Sequence, residues 1–447
     1  MLRPPRQELS SLVRLAVPVV IAELGWVAMG VVDTLMVGRL GDEAIGAVGI
    51  GRALFLGVGV FGIGLLLGLD TVISNSFGAG KLERCRSALW HGVLIAVAIA
   101  IPLTFLVREM SGWLDSWGVD PKVFEHVVAY TKTLSWSALP IFLYAAVRRY
   151  LQAMHRVIAV MFALISANLV NVATNWLLIF GNLGMPEMGV RGAAWATVLS
   201  SSYMALFLGI VAWHHAARLI PDKKFNWSID RALTGRLLSL GLPAGLQLLL
   251  EVGVFALSTV LAGKLAPAAL AAHQVVINVA STTYMVPLGI SQATSVRVGH
   301  KLGAGDPEAA RRVGWMGIGL AAGFMSLAAL GLIVFPRFIL NLWKASPEAV
   351  AIGSTLFVAA AIFQLFDGMQ VAAIGALRGL GDTRSALYWN FVGYWVITLP
   401  VGYLLCFNYG LGALGLWIGF CVGLMTCGVA LVWRWSVVSR NARPLAL

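Results

Sequence analysis

The chain has 447 residues, of which 59% are apolar and only 12% carry a charge, about half the charged share of an ordinary soluble domain. A water-soluble enzyme of this length would need far more Lys, Arg, Asp and Glu to cover its cores, so the missing polar surface must face lipid. The net charge of +12 comes from basic residues scattered through connections, without a Lys/Arg run or an aromatic-interleaved patch, which excludes a nucleic-acid binder.

In chain order, apolar runs punctuated by charge, Gly and Pro predict twelve helices near 14–38, 46–76, 86–107, 124–150, 158–181, 190–213, 237–263, 269–298, 311–335, 350–376, 385–407 and 413–437. Each has the roughly twenty residues that a hydrocarbon core of about 30 Å requires. The connections are too short for an attached ATPase or receptor domain. The first run holds Glu23 and Asp33 where the cleavage region of a signal peptide is small and neutral, so it reads as a retained helix. Gly80-Lys81 lacks the gap and the Ser/Thr of a P-loop and reads as a helix C-cap. Pro18, Pro102, Pro140, Pro243, Pro287 and Pro400 fall within spans as kink positions. Cys85, Cys406, Cys421 and Cys427 show neither zinc nor disulfide spacing and read as small buried hydrophobes.

With the N-terminus in the cytoplasm, the chain ends and even-numbered connections carry 23 of the 32 Lys and Arg residues. The positive-inside rule therefore places both termini in the cytoplasm, and the expected location is the cell's inner (cytoplasmic) membrane, crossed many times. The halves repeat. A shift of 225 lays Leu15-Ala-Val-Pro18 on Leu240-Gly-Leu-Pro243, Gly38-Arg-Leu40 on Gly263-Lys-Leu265, and Gly78-Ala-Gly80 on Gly303-Ala-Gly305. Six helices per half is an even number, so both halves enter the membrane in the same direction, related by a pseudo-two-fold along its normal. The expected fold is an all-α integral membrane protein of twelve transmembrane helices in two pseudo-symmetric six-helix lobes. The N-lobe is 1–213, the cytoplasmic linker 214–236 with Pro221, Lys223, Lys224 and Asp230, and the C-lobe 237–447.

Five acids fall inside spans: Glu23, Asp33, Asp70, Glu251 and Asp367. Each is costly there unless it faces a cavity, a partner or a bound cation. Glu23 and Asp70, the latter followed by Ser74, Asn75 and Ser76, fit structural hydrogen bonds as well as function. Asp33, Glu251 and Asp367 have no basic residue within one turn on their own spans. Asp33, the i,i+4 pair Asn171 and Asn175, and Thr197 reach a similar depth, and a carboxylate with amide and hydroxyl oxygens suits Na⁺ or a transferable proton. The competing reading makes the asparagines helix-packing groups. Glu251 and Asp367 fall near mid-membrane, flanked by Gln247, Phe255, Phe363, Gln364 and Gln370. Two carboxylates at one depth repel unless a proton or cation sits between them. The aromatics either stack on an organic cation or form a plain packing stripe. No catalytic dyad or metal cluster stands out, since His273 and His300 differ in depth.

Six stretches resemble the multidrug and toxic compound extrusion (MATE) family, and within it the NorM-like branch. They are Val32-Asp33-Thr-Leu-Met-Val-Gly-Arg-Leu-Gly41, Leu242-Pro-Ala-Gly-Leu-Gln247 with Glu251, Leu270-Ala-Ala-His-Gln274, Pro287-Leu-Gly-Ile-Ser-Gln-Ala293, Gly299-His-Lys-Leu-Gly-Ala-Gly305 and Leu377-Arg-Gly-Leu-Gly-Asp-Thr383. The resemblance implies secondary active export of organic, mostly cationic compounds in exchange for Na⁺ or H⁺, with two six-helix lobes forming a V. It implies no enzyme activity and no cofactor beyond the coupling ion, and the expected protein is a monomer in a lipid bilayer. Asp33 matches the family's coupling acid on the first helix, and Asn171, Asn175 and Thr197 match its companions. Some members carry Asp where this chain has Asn175, which leaves the ion preference open. Glu251 and Asp367 match second-lobe acids implicated in Na⁺ and substrate binding, so Asp33, Glu251 and Asp367 are the Na⁺ candidates. The first alternative is a flippase for a lipid-linked saccharide, whose polyanionic cargo needs buried Arg and Lys, yet no basic residue lies deep in the expected spans. A membrane-embedded enzyme lacks a dyad, and a channel does not explain the repeat.

Overall fold

The computed structural model describes residues 5–114, 121–219 and 227–443. Its helices are α1 (Pro5–Val37), α2 (Asp42–Leu65), α3 (Gly68–Gly78), α4 (Leu82–Trp113), α5 (Pro121–Leu134), α6 (Ala138–Ala153), α7 (Val157–Phe180) and α8 (Val190–Leu219). They continue with α9 (Arg231–Ala262), α10 (Pro267–Gly303), α11 (Pro307–Val334), α12 (Pro336–Leu342), α13 (Pro347–Gly379), α14 (Arg384–Asn390), α15 (Leu399–Tyr403) and α16 (Ala413–Val438). Ten helical stretches among the described residues are long and apolar enough to cross a membrane, where twelve are expected from the sequence. The difference has two causes. The expected span at 124–150 is too polar to be one of the ten; α5 and α6 are joined through a 3-10 turn at Ser135–Ser137, where the Ser135 and Ser137 hydroxyls donate back to the carbonyls of Lys132 and Leu134 at 2.8 and 2.6 Å. The expected span at 269–298 lies in the 37-residue α10, which is long enough but too polar to be one of the ten.

Packing divides the chain into two compact units, residues 24–245, and residues 246–447 with 1–23. In the first, α7 lies on α8, α2 on α5, and α6 on both α4 and α8. In the second, α13 is central and packs on α10, α11 and α16. The approach of α13 to α10 depends on Gly375 and Gly379, because a Cβ on Gly375 would strike the Ser291 carbonyl and one on Gly379 would lie 2.7 Å from the Ser295 carbonyl. This is the small-residue spacing that lets membrane helices touch backbone to backbone.

The sequence repeat recurs in helix termination. After α3, Gly80 adopts φ +72, its N–H donates to the Phe77 carbonyl at 3.0 Å, and the Lys81 N–H donates to Ser76 at 2.9 Å. After α10, Gly305 adopts φ +77 with matching bonds from Gly305 to Leu302 (3.0 Å) and from Asp306 to Lys301 (2.9 Å). Both are Schellman closures, which glycine makes without steric cost, as the C-cap reading of Gly80 anticipates. Within the connection before α9, Pro221, Lys223 and Lys224 lie outside the described residues. Its described end is fastened to α4: Trp227 meets Trp90 edge to face at 4.7 Å, and His91 Nε2 accepts from the Asp230 amide at 2.9 Å. All four cysteines are free, and three are buried; Cys421 is only half-buried.

Candidate functional site

The five acids within the apolar helices separate by their partners. Asp70 forms a buried ion pair with Arg149 at 3.3 Å, and the Glu23 carboxylate accepts from Gln292 Nε2 at 2.7 Å. These two have structural partners. Asp33, Glu251 and Asp367 are buried, yet none has a cation within ion-pair distance among the described residues.

Asp33 is brought to its sequence-predicted companions by α1, α7 and α8. Asn175 Nδ2 donates to Asp33 Oδ1 at 2.7 Å and to Asn171 Oδ1 at 3.1 Å. Asn171 and Asn175 are one turn apart on α7, so their amides stack along one face. The Thr197 hydroxyl lies 3.4 Å from Asp33 Oδ2 and 3.2 Å from the Ala193 carbonyl, and with one proton to give it donates to one of them at a time. Among the described residues Asn171 Nδ2 and Asn175 Oδ1 meet no hydrogen-bond partner, so the cluster retains an unused amide oxygen. Asp33 and Thr197 face a cavity of about 40 Å³ that is also lined by Trp26, Phe55, Tyr130 and Arg52. A space of that size accepts a water or a small ion.

Arg52 corrects the sequence reading that no basic residue lies deep in a span. It sits ten residues after Asp42, so about 15 Å along α2. The signal was present as a lone cation inside an apolar helix, but counting it with the connections concealed it.

In the second unit, Glu251 on α9 accepts from Gln247 Nε2 at 2.8 Å, one turn earlier, and from the Tyr284 hydroxyl of α10 at 3.2 Å. Asp367 on α13 is within electrostatic reach of Glu251 and has no hydrogen-bond partner among the described residues. The two acids therefore come together, with Arg378 also within electrostatic reach of Glu251. The flanking amides do different work: Gln364 donates to Thr283 Oγ1 at 2.9 Å, and Gln370 donates to Asn390 Oδ1 (3.1 Å) and Tyr394 Oη (3.2 Å). Phe255 stacks on Phe420 at 4.9 Å and meets Phe363 and Tyr394 edge to face at 6.2 and 6.1 Å. Its ring contacts are with other aromatics, so the packing alternative describes these rings. Tyr284, Tyr394 and Arg378 escape sequence reasoning because aromatic and C-terminal basic residues are ordinary in membrane helices. No group of three or more His, Cys, Asp or Glu side chains able to hold a metal ion occurs among the described residues.

The MatE family model matches the chain twice, at residues 18–177 and 243–404, with starts separated by the same 225 residues as the repeat. A "Probable multidrug resistance protein NorM" of Mesorhizobium japonicum is 35% identical, the alignment covering 99% of this chain and 96% of that protein. A "Multidrug resistance protein NorM" of Burkholderia vietnamiensis is 36% identical over 95% of this chain and 93% of its own length. The chain therefore belongs to the MatE family, within its NorM-like branch, a family of transporters and not of enzymes. Its fold is that of the eukaryotic MATE transporter AtDTX14 (TM-score 0.86, 22% identity, covering 98% of this chain and 99% of that one). It is equally that of a Vibrio cholerae MATE transporter, VcmN (TM-score 0.87, 20% identity, covering 98% and 99%).

Proposed function

We propose that this protein is a secondary active multidrug efflux antiporter of the inner membrane, exporting organic, mostly cationic compounds in exchange for Na⁺ or H⁺ by alternating access. The observation that carries the reading is that, among the described residues, Asp33, Glu251 and Asp367 are buried carboxylates held by neutral donors or by none, without an ion-pair partner. A carboxylate in that setting is stable when a proton or a cation joins it. Substrate and coupling ion then compete for the same negative charge, which is the condition for exchange. The names of the NorM relatives support a multidrug cargo. Residues 1–213 and 237–447 are the two lobes that alternate, with 214–236 as a cytoplasmic linker and the monomer as the working unit. The flippase alternative is not favoured, because the two acid sites offer single arginines and not the cluster of cations a polyanionic saccharide carrier needs.

Reconstituted proteoliposomes decide this. An imposed Na⁺ or pH gradient, inward with respect to the export direction, should drive movement of a fluorescent organic cation against its own gradient. Movement that is unaffected by both gradients would remove the antiport reading.

A further inference from the structure

Arg52 occupies a seat that α1 provides. Gly30 is one turn before Asp33 on α1, and the Cβ it lacks would overlap both terminal nitrogens of the Arg52 guanidinium. The guanidinium thus lies against α1 beside the coupling carboxylate, on the wall of the same cavity. It makes no ion pair with Asp33, since no basic nitrogen comes within 4.0 Å of that carboxylate among the described residues, and the Asp33 oxygens are left to Asn175 and Thr197. The charged or titratable side chains lining the cavity are Asp33 from α1, Arg52 from α2 and Tyr130 from α5. Arg52 and Asp33 are within electrostatic reach of one another.

We propose that Arg52 is a tethered counter-cation, a specificity-determining residue that weakens the hold of Asp33 on any bound cation without covering the carboxylate. With Arg52 in its seat the empty cavity is neutral, and an arriving proton, Na⁺ or singly charged drug makes it positive. Without Arg52 the same cation meets an unopposed carboxylate in a low-dielectric site and is held too tightly to leave. An antiporter must release each cargo on every cycle, so a fixed opposing charge trades affinity for turnover. A like charge about one helical turn away weakens cation binding on the order of 10- to 100-fold at intermediate dielectric. A neutral ligand feels no such opposition. This inference rests on the antiport reading above.

The test is equilibrium binding of ethidium, a monovalent organic cation, and of the neutral dye Nile red to the purified full-length protein, alongside ethidium transport in proteoliposomes. Arg52→Gln should bind ethidium at least about 10-fold more tightly and Nile red as wild type does, while transport shows a lower KM and a lower kcat. Arg52→Lys should stay near wild type. Gly30→Ala, which keeps the charge but fills its seat, should shift ethidium affinity in the same direction as Arg52→Gln. Unchanged ethidium affinity in Arg52→Gln, or an equal shift for Nile red, overturns the proposal. If the wild-type protein binds ethidium under no ionic condition, the antiport reading itself fails, and this inference with it.

Discussion

Around Asp33, neutral hydrogen-bond donors and an opposing charge are supplied by different helices, so the carboxylate can change occupancy without losing its position. Asp33→Asn preserves the shape and the Asn171–Asn175 contact, and should give a protein that expresses and folds but has lost gradient-driven export. Parallel measurement of expression and of uptake into inverted vesicles checks this, and loss of both together would mark Asp33 as structural. Glu251 and Asp367 act on one another through their charges. Glu251→Gln and Asp367→Asn should each weaken binding of an organic cation, with the double mutant little worse than the worse single one. That pattern corresponds to an interaction energy of about 1–3 kcal/mol in a double-mutant cycle; strictly additive effects would separate the two acids. The acids, asparagines and Thr197 were legible because polar atoms in apolar helices have few reasons to be there. Arg52, Tyr284 and Tyr394 were not, because their placement depends on which helices become neighbours, and a single sequence does not state that.

Helix existence was legible from apolar length, whereas helix interruptions were not. The 3-10 turn at Ser135–Ser137 goes with serine hydroxyls turning to nearby carbonyls, and Ser is common in membrane helices that stay α-helical. Around Pro400 the stretch after α14 widens into π-type turns at Phe391–Thr398 and Leu404–Asn408. Proline's missing N–H was visible in the sequence, but the wider turns that accommodate it, and the placing of Tyr394 beside Gln370, were not. Packing predictions belong at this scale. Gly375→Val would push α13 away from α10 and should destabilise by about 1–3 kcal/mol, read as a lower Tm by thermal unfolding in detergent. Asp230, before α9, accepts from the Leu233 and Ala232 amides at 3.1 and 2.8 Å, and these bonds, that from Leu233 foremost, hold its carboxyl below the usual range. A group whose folded value is lowered stabilises above its unfolded value of about 3.9 and loses that contribution as pH falls through the folded value. Amide exchange at Leu233 should therefore lose protection on acidification, while Asp230→Asn keeps the cap with a flat pH response; equal pH dependence in both proteins would contradict this.

For the molecule as a whole, the 23-to-9 division of Lys and Arg predicts cytoplasmic termini. A cysteine introduced between residues 227 and 230 should resist an impermeant maleimide in intact cells and react once the membrane is opened. Exchange of one monovalent ion for one monovalent drug moves no net charge, so the membrane potential, worth about 2.3 kcal/mol per charge per 100 mV, does not drive a one-for-one cycle. The cavity beside Asp33 adds a kinetic consequence. At about 40 Å³ it admits a water or a bare ion and not a drug, so on the antiport reading proposed above a drug that meets Asp33 needs a wider cavity than this one. If drug binding at Asp33 requires such a wider state, the measured Kd is the intrinsic one divided by the fraction of molecules in that state. Two drugs that fit the wide state equally well would share this penalty. A variant that opens the cavity would tighten both by one common factor, changing the potency of resistance while leaving the ranking of compounds as it was.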